Sequence, residues 1–383
     1  MKALIHVQHL LGTGHIVRAA AIGRALAAAG VDVVLASGNR VPPTLATDGL
    51  SIAALPLARA QDSLFKVMLD ADGRPIDAAW KAARTRATLG LLAAVQPDIL
   101  LTETWPFGRR AFNFEMTALV AAARALDSRP VIAASIRDIL VRKEDPEKER
   151  AMAELAVASC DRVLVHADPA LIRLEESFRF ADRVAPLVRY TGFVHSPSSL
   201  LPPGEDGRDE VIVSAGGGAV GAHLIAMAGR ARALSARAGD TTWRLLVGHG
   251  HDAAALASLQ AEAGSGVIVE RARPDFPGLV ARARLSISQA GYNTVLDVIA
   301  AGVPAVFVPF AEGDETEQSQ RAALIAARGL AVSVAEDGLT PDRLAAAVDR
   351  ALAAPPARLR VSVDGAAEAA RILIADASAR RRP

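Results

Sequence analysis

The stretch "VIVSAGGGAVGAHLIAMAG" (residues 211–229) joins a short apolar run to a helical pattern through three consecutive glycines. A β-branched strand that ends in glycines and leads into a helix is typical of a βα unit. Backbone amides at such a helix start bind anions, and glycines let a phosphate approach closely. The stretch therefore predicts an α/β fold with a phosphate-bearing ligand. The alternative is a tight turn with a purely structural role.

The same alternation of short apolar runs and longer helical patterns extends along the chain. Before residue 195 the runs are "ALIHV", "VDVVLAS", "DILLTE", "PVIAASI" and "RVLVHA"; after residue 209 they are "VIVSAGGG", "WRLLVG", "VIVE", "LSISQAG", "PAVFVPF" and "AVSVAE". Such runs indicate strands buried on both faces of a parallel sheet. We predict two doubly wound Rossmann-like α/β domains that face each other across a cleft. Their bounds are 1–194 and 210–355, with a linker at 195–209 and a C-terminal helix and tail at 356–383 that can pack back on the N-terminal domain.

The composition limits the classes of partner and the cellular location that we expect for the protein. The 383 residues include 43 basic and 42 acidic ones, so no global field favours nucleic acid as a partner. The single cysteine, Cys160, excludes a disulfide scaffold and fits a reducing cytoplasm. No window approaches the roughly 18 apolar residues of a membrane span. We expect a cytoplasmic protein, and peripheral contact with the inner face of the membrane stays open.

The stretch "HLLGTGHIVRAAAIGRAL" (residues 9–26) predicts a candidate catalytic group. The first strand ends near Gln8 or His9, Gly12 and Gly14 form a turn, and apolar residues follow at helical spacing. His15 then lies at a helix N-terminus, where the helix dipole lowers its pKa and favours the neutral imidazole that a general base needs. The alternative is that His15 only caps the helix.

A third stretch, residues 286–323, supplies polar side chains at strand-to-helix junctions. A carboxylate such as Asp297 can accept both hydroxyls of a ribose. Glu317 beside Gln318 offers an acceptor and an amide for the hydroxyls of a sugar ring. Each residue alone would more often be a cap or a surface group, but their shared placement indicates a ligand site. Its members are Gln289, Gly291, Asn293, Thr294, Asp297, Glu317 and Gln318.

Together, these motifs resemble the donor-binding domain of the GT-B glycosyltransferases, most closely the family 28 type that includes the peptidoglycan lipid-linked N-acetylglucosaminyltransferase. The resemblance covers roughly residues 211–352 and implies a nucleotide-sugar donor, which we expect to be a UDP-sugar. In that family the motif positions hold the diphosphate, border the base, take the ribose and take the sugar. By resemblance, the diphosphate would be held by Ser214, Gly216, Gly217 and Gly218, and the base would be bordered by residues 271–276, which include Arg273. The ribose would be bound by Asp297, and the sugar by Glu317 and Gln318.

The N-terminal resemblance covers mainly Gly12 to Arg18, and it points to two reactions. The chain has Leu11 where the peptidoglycan family has a glycine, and Asp297 where it usually has glutamate. The string Gly14-His15-x-x-Arg18 also resembles the UDP-sugar hydrolase of pseudaminic acid biosynthesis, whose histidine activates water. We predict an inverting glycosyltransferase with His15 as base. A nucleotide-sugar hydrolase and a nucleotide-sugar-binding protein without turnover are the alternatives.

The acceptor is the least defined partner: a small molecule, a glycan or a lipid-linked sugar. "LLTETWPFGRRAFNFE" (100–115) follows a strand, so Glu103 is a candidate second acid or base, and Trp105 and Arg109 are candidate acceptor contacts, along with Gly12, Gly14 and Arg18. Alternatively, Trp105 and Phe107 cover the sheet edge. The insert at 58–80 suits a lid or acceptor platform. We expect no metal or other cofactor, because amides of the glycine loop can stabilise the departing diphosphate.

Overall fold

The computed structural model describes residues 1–10, 13–61, 67–195, 200–215, 221–310, 316–355 and 361–381. The chain divides into two compact units. The first contains Met1–Val194 and Ser362–Pro383, and the second contains His195–Val361. The predicted linker at 195–209 therefore falls within the second unit, and the C-terminal helix falls within the first.

The first unit begins with alternating strands and helices. In chain order they are β1 (Lys2–Val7), α1 (Gly14–Ala28), β2 (Asp32–Ser37), β3 (Leu50–Ala54), β4 (Arg59–Ala60), β5 (Met68–Leu69), α2 (Ala78–Val95), β6 (Ile99–Glu103), α3 (Asn113–Arg124), β7 (Val131–Arg137), α4 (Pro146–Ser159), β8 (Arg162–His166), α5 (Ala181–Val184) and β9 (Val188–Tyr190).

Seven of these strands form a parallel sheet in the order β3-β2-β1-β6-β7-β8-β9. The chain builds outward from β1 to β3 and then returns to β6 on the other side of β1. The β1/β6 boundary is therefore a topological switch point, where doubly wound sheets bind ligands beyond the carboxyl ends of their strands. The sequence analysis missed β3 and β9. The insert at 58–80 contributes the antiparallel pair β4-β5.

The second unit has the same construction on a smaller scale. Its elements are β10 (Val211–Ser214), α6 (Ala222–Ala231), β11 (Trp243–Val247), α7 (Ala253–Glu262), β12 (Val267–Arg271), α8 (Phe276–Arg282), β13 (Leu285–Ser288), α9 (Tyr292–Ala301), β14 (Ala305–Phe307), α10 (Glu317–Ala327), β15 (Val332–Ser333) and α11 (Pro341–Ala353). The six strands are parallel, in the order β12-β11-β10-β13-β14-β15, so the switch point lies between β10 and β13. Two parallel, doubly wound sheets confirm the predicted α/β class.

The last helix, α12 (Gly365–Arg381), completes the core of the first unit. Its small and apolar face, which includes Ala370 and Leu373, packs in one buried cluster with Ile16 and Ala20 of α1. Small side chains on both helices allow a close approach of their backbones, which suits the alanine-rich composition. An ion pair of 2.6 Å between Arg381 and Asp98 anchors the end of the helix to the start of β6.

Candidate active site

His15 lies at the switch point of the first unit. β1 ends at Val7 and α1 begins at Gly14, which places the imidazole in the first helical turn beyond the carboxyl end of β1. Glu103 is the last residue of β6, the neighbour of β1 across the switch point. The two side chains meet there: His15 Nδ1 lies 2.9 Å from Glu103 Oε1. Their exposed fractions are 20% and 1%, so solvent reaches the imidazole but not the carboxylate.

Four side chains surround the Glu103 carboxylate. Oε1 accepts hydrogen bonds from Arg18 and, at 3.1 Å, from Thr104, while Oε2 accepts from Ser135 at 2.6 Å. Although burial raises the pKa of Glu103, the positive charge of Arg18 and the hydrogen bond with His15 outweigh it and hold the pKa well below its usual range. Glu103 is therefore a buried, ionised carboxylate.

The His15 imidazole is neutral at physiological pH. Burial lowers the pKa of His15 to about 4; the hydrogen bond and charge of Glu103 oppose that shift, and the charges of Arg109 and Arg18 reinforce it. The sequence predicts the neutral form from the helix dipole, whereas the largest cause in the structure is burial. Because Glu103 can only accept at Nδ1, the proton of the neutral ring lies on Nδ1, and Nε2 keeps its lone pair.

Behind Glu103, a run of buried polar groups crosses the carboxyl ends of the next three strands. Ser135 Oγ of β7 lies 2.8 Å from His166 Nε2 at the end of β8, and His166 Nδ1 lies 2.8 Å from Thr191 Oγ1, just after β9. The sequence analysis missed all three residues. For two of them a signal was present: Ser135 is a polar residue near the end of the apolar run "PVIAASI", and His166 lies near the end of "RVLVHA".

The loop after β6 serves the core more than a ligand. Trp105 is only 1% exposed and donates from Nε1 to Asn113 Oδ1 at 2.9 Å. Phe107 is also buried and stacks edge to face on Phe178, with ring centroids 5.5 Å apart. Both aromatic side chains are therefore part of the buried interior of the first unit, and a buried Trp105 does not support the predicted acceptor contact.

The other predicted acceptor-binding residues differ in their contacts and exposure. Arg18 is buried and ion-paired with Glu103, so it supports the carboxylate rather than presenting a surface to an acceptor. Arg109 donates from Nε to the Gln8 carbonyl at 2.6 Å. Burial lowers its pKa to about 10, against the charge of Glu103 and with the charges of Arg137 and Arg18. Gly14 is exposed, with open space where a Cβ would lie. Gly12 lies outside the described residues.

The switch point of the second unit brings together the two predicted strand ends. The backbone amide of Gln289, just after β13, donates to the carbonyl of Ser214, the last residue of β10, at 3.2 Å. Both side chains are buried, and Gln289 Nε2 has no hydrogen-bond partner among the described residues. Gly216, Gly217 and Gly218 lie outside the described residues, so their role in diphosphate binding stays a prediction.

Asp297 has a partner that the sequence analysis did not anticipate. His195 Nε2 lies 2.8 Å from Asp297 Oδ1, and both side chains are largely buried. Gly291 is the N-cap of α9, while Asn293 and Thr294 lie in its first turn, with Asn293 exposed. Asp297 is thus one turn further into the helix, held by a residue that the sequence places in the linker.

Glu317 and Gln318 open α10, as predicted; Glu317 pairs with a residue of the same helix, and Gln318 contacts the loop before it. Glu317 is buried and ion-paired with Arg321 at 2.6 Å, while Arg321 also donates to the carbonyl of Ala290 at 2.8 Å. Gln318 Oε1 accepts from the amide of Phe310 at 3.2 Å. Arg321 is a further residue that the sequence analysis missed; it links α10 to the end of β13.

Arg273, predicted to border the base, is engaged by carboxylates. Its guanidinium forms a two-pronged contact with Asp275, at 2.9 and 2.7 Å, and reaches Asp206 at 2.6 Å. The hydrogen bonds to these carboxylates raise its pKa further above its already high usual value. Its side chain therefore organises the loop before α8.

The described residues contain neither a cluster of metal ligands nor a helix that could span a membrane. Within the described ranges, no three histidine, cysteine or carboxylate side chains gather as a metal site would need. None of the helices that the structure describes is long and apolar enough to cross a bilayer. The expectation of a metal-free site stays a prediction.

Comparison with solved structures defines the class of fold. The calicheamicin glycosyltransferase CalG4 superposes with a TM-score of 0.64 at 18% identity, over 100% of this chain and 99% of that one. MurG of Acinetobacter baumannii gives a TM-score of 0.64 at 17% identity, over 98% and 100% of the two chains. The chain thus has the GT-B glycosyltransferase fold.

Comparison of sequences finds similarity to one glycosyltransferase family. Residues 212–373 match the family model described as the glycosyltransferase family 28 C-terminal domain. A relative from Methylorubrum extorquens, named UDP-N-acetylglucosamine–N-acetylmuramyl-(pentapeptide) pyrophosphoryl-undecaprenol N-acetylglucosamine transferase, is 39% identical over 99 residues. A protein of the same name from Rhodopseudomonas palustris is 39% identical over 85 residues. These alignments span 26% and 22% of this chain and the same shares of the relatives' lengths.

Proposed function

We propose that this protein is an inverting glycosyltransferase that moves a sugar from a nucleotide-sugar donor to an acceptor hydroxyl, with His15 as the general base. The observation that carries the proposal is the contact of 2.9 Å between His15 Nδ1 and the ionised, buried Glu103. It leaves the lone pair on Nε2 of a neutral, partly exposed imidazole. The family 28 domain at 212–373 supports the choice of a nucleotide-sugar donor.

In the proposed reaction, His15 Nε2 takes the proton of the acceptor hydroxyl as its oxygen attacks the anomeric carbon. The bond from that carbon to the diphosphate oxygen breaks with its electron pair, and the nucleoside diphosphate leaves from the opposite face. Proton transfer turns the imidazole into an imidazolium, which the Glu103 charge stabilises at 2.9 Å. Configuration at the anomeric carbon inverts because the displacement is direct.

For the donor we propose a UDP-sugar, since the relatives' names specify UDP-N-acetylglucosamine. We propose that Asp297, whose Oδ1 lies against His195, accepts hydrogen bonds from the ribose hydroxyls of the donor. The proposed contacts to the donor sugar are Glu317 and Gln318. The names of the same relatives specify a lipid-linked acceptor, pyrophosphoryl-undecaprenol. A lipid-linked acceptor here would bring the protein to the inner face of the membrane as a peripheral enzyme.

The first test is to incubate the purified chain with UDP-, dTDP-, GDP- and CDP-sugars without an acceptor, and to follow nucleotide release by mass spectrometry. Slow release from one donor, abolished in His15→Gln, is expected of a transferase that lacks its acceptor. Rapid stoichiometric release of nucleotide and free sugar would make the protein a hydrolase. Binding with no release under any condition, including added lipid-linked or glycan acceptors, would contradict both reactions.

A further inference from the structure

We propose that Ser135, His166 and Thr191 form a one-directional chain of hydrogen bonds that positions Glu103 and thereby fixes the proton of His15 on Nδ1. This inference deepens the proposed function, because it rests on His15 acting as the base. The three residues touch neither reacting atoms nor a ligand in this account. They are positioning residues, which act through the carboxylate.

The direction of the chain begins at Glu103. An ionised carboxylate can only accept, so the short contact of 2.6 Å at Oε2 requires that Ser135 donate its hydroxyl proton. A serine hydroxyl has one proton, and with that proton directed at Glu103 its oxygen must accept from the next group. The contact of 2.8 Å to His166 then requires the histidine to donate from Nε2.

The charge state of His166 fixes the next step. Burial lowers its pKa to about 3, with the charge of Arg18 adding to the shift and that of Glu103 opposing it, so the ring is neutral. A neutral imidazole has one N–H proton. With that proton on Nε2, the Nδ1 atom is an acceptor, and Thr191 Oγ1 must donate to it over 2.8 Å.

Thr191 has a competing acceptor, the carbonyl of Gly192, also 2.8 Å from Oγ1. Donation to that carbonyl would leave the Thr191 oxygen and His166 Nδ1 facing each other at hydrogen-bond distance with no proton between them. Such an unpaired buried contact is costly, because neither group can reach water. Donation from Thr191 to Nδ1 gives each side chain of the neutral chain a partner, and the direction from His166 through Ser135 to Glu103 is the same whichever acceptor Thr191 uses.

The sheet explains why these groups meet. Glu103 and Ser135 are paired neighbours in the register of β6 and β7, His166 ends β8, and Thr191 follows β9. The exposed fractions of Ser135, His166 and Thr191 are 0%, 0% and 2%. The chain thus spans the carboxyl ends of four adjacent strands in a dry environment, where hydrogen bonds reinforce one another.

The consequence reaches His15 through the orientation of the carboxylate. With Oε2 held by Ser135, Oε1 is turned toward His15, Arg18 and Thr104. His15 Nδ1 has Thr104 Oγ1 at 3.0 Å and Arg18 Nη2 at 3.3 Å as further neighbours, both of which are longer contacts than the one to Glu103. Rotation of the carboxylate would let Thr104 donate to Nδ1 instead, which would move the imidazole proton to Nε2 and remove the base.

The tautomers can be measured without any substrate. In protein labelled with ¹⁵N-histidine, long-range ¹H–¹⁵N spectra at pH 7 report which ring nitrogen holds the proton, and His15→Gln and His166→Gln assign the two rings among the eight histidines. We expect His15 with its proton on Nδ1 and His166 with its proton on Nε2. Either ring with the opposite tautomer, or a charged His166, would overturn the proposal even if the protein proves to be a transferase.

Paired variants of Ser135 and His166 then distinguish a role in positioning Glu103 from a role in packing alone. Ser135→Ala and His166→Leu remove a donor, whereas Ser135→Thr keeps the hydroxyl and His166→Gln keeps an N–H near the position of Nε2. We expect the first pair to lower kcat about tenfold at unchanged donor KM and to mix the His15 tautomers, since a hydrogen bond to a charged group is lost. The second pair should keep both properties near wild type.

Equal losses in all four variants, or a rise in donor KM that accounts for the loss, would assign the chain a structural role and overturn the proposal. Thermal unfolding of each variant identifies any that fails to fold, and the wild-type tautomers still decide the question in that case. A wild type without turnover would defeat the proposed function while leaving the tautomer result to judge the chain by itself.

Discussion

The two units place polar side chains at the same topological position and use them differently. At the β1/β6 switch point, His15, Arg18, Thr104 and Ser135 all converge on one buried carboxylate. At the β10/β13 switch point the polar groups are tied in separate local pairs, Asp297 with His195 and Glu317 with Arg321. One network that shares a charge suits proton transfer, whereas several anchored groups suit recognition of a ligand with many hydroxyls. Under the proposed function, this difference assigns chemistry to the first unit and donor binding to the second.

The largest expected effect that tests this contrast is in the first unit. His15→Gln should reduce kcat by about 10²- to 10⁴-fold, the usual contribution of a positioned general base. Donor affinity should change less than twofold, because the proposed donor contacts belong to the other unit. Nucleotide release and isothermal titration with the donor measure the two quantities. A loss of donor affinity as large as the loss in kcat would contradict the proposal that the first unit serves catalysis and the second serves donor binding.

Glu103→Gln should cost both activity and stability. The amide keeps the shape but removes the charge that stabilises the imidazolium, so kcat should fall about a hundredfold or more. It also leaves the buried Arg18 without its carboxylate, and breaking a buried pair destabilises by about 3 kcal/mol. Chemical denaturation and nucleotide release check these outcomes. Full activity in a folded Glu103→Gln variant would show that the charge network does not serve the base.

In the second unit, Asp297→Asn should weaken donor binding about tenfold, as the loss of a charged hydrogen-bond acceptor does. kcat at saturating donor should stay within a factor of about three. His195→Gln is the matched variant: it keeps a donor toward Asp297 Oδ1 and should bind nearly as well as wild type. An Asp297→Asn variant with normal affinity would remove the ribose role.

The smallest effect is expected for Arg273→Lys. Lysine cannot reproduce the two-pronged contact with Asp275, so the melting temperature should fall by a few degrees while donor affinity stays unchanged. The measurements are thermal unfolding and donor titration of the same sample. If affinity fell with little change in melting temperature, Arg273 would contact the base, as the family resemblance implies, rather than only organise its loop.

The apolar runs alone predicted the two parallel sheets, because strands buried on both faces need continuous Val, Ile and Leu. The short strands β3 and β9 escaped, since Leu50–Ala54 and Val188–Tyr190 are edge strands with a mixed burial pattern. Of the candidate site, His15 and Glu103 were found from their positions after strands. Ser135, His166 and Thr191 were not, because their role depends on the register of β6 to β9 in space. Trp105 illustrates an ambiguity, because an aromatic residue in a loop has the same sequence signal whether it is buried in a core or contacts a ligand.

The most direct test of the account is the pH dependence of kcat/KM for nucleotide release from the preferred donor. Because burial lowers the pKa of His15 to about 4, the imidazole stays neutral as the pH falls from 8 to 5, and it loses its lone pair only when protonated below that range. We predict a constant kcat/KM between pH 8 and 5 and a decline near pH 4, with circular dichroism showing that the fold persists. A decline centred near pH 6.5, the value of an ordinary histidine, would contradict a base buried against Glu103.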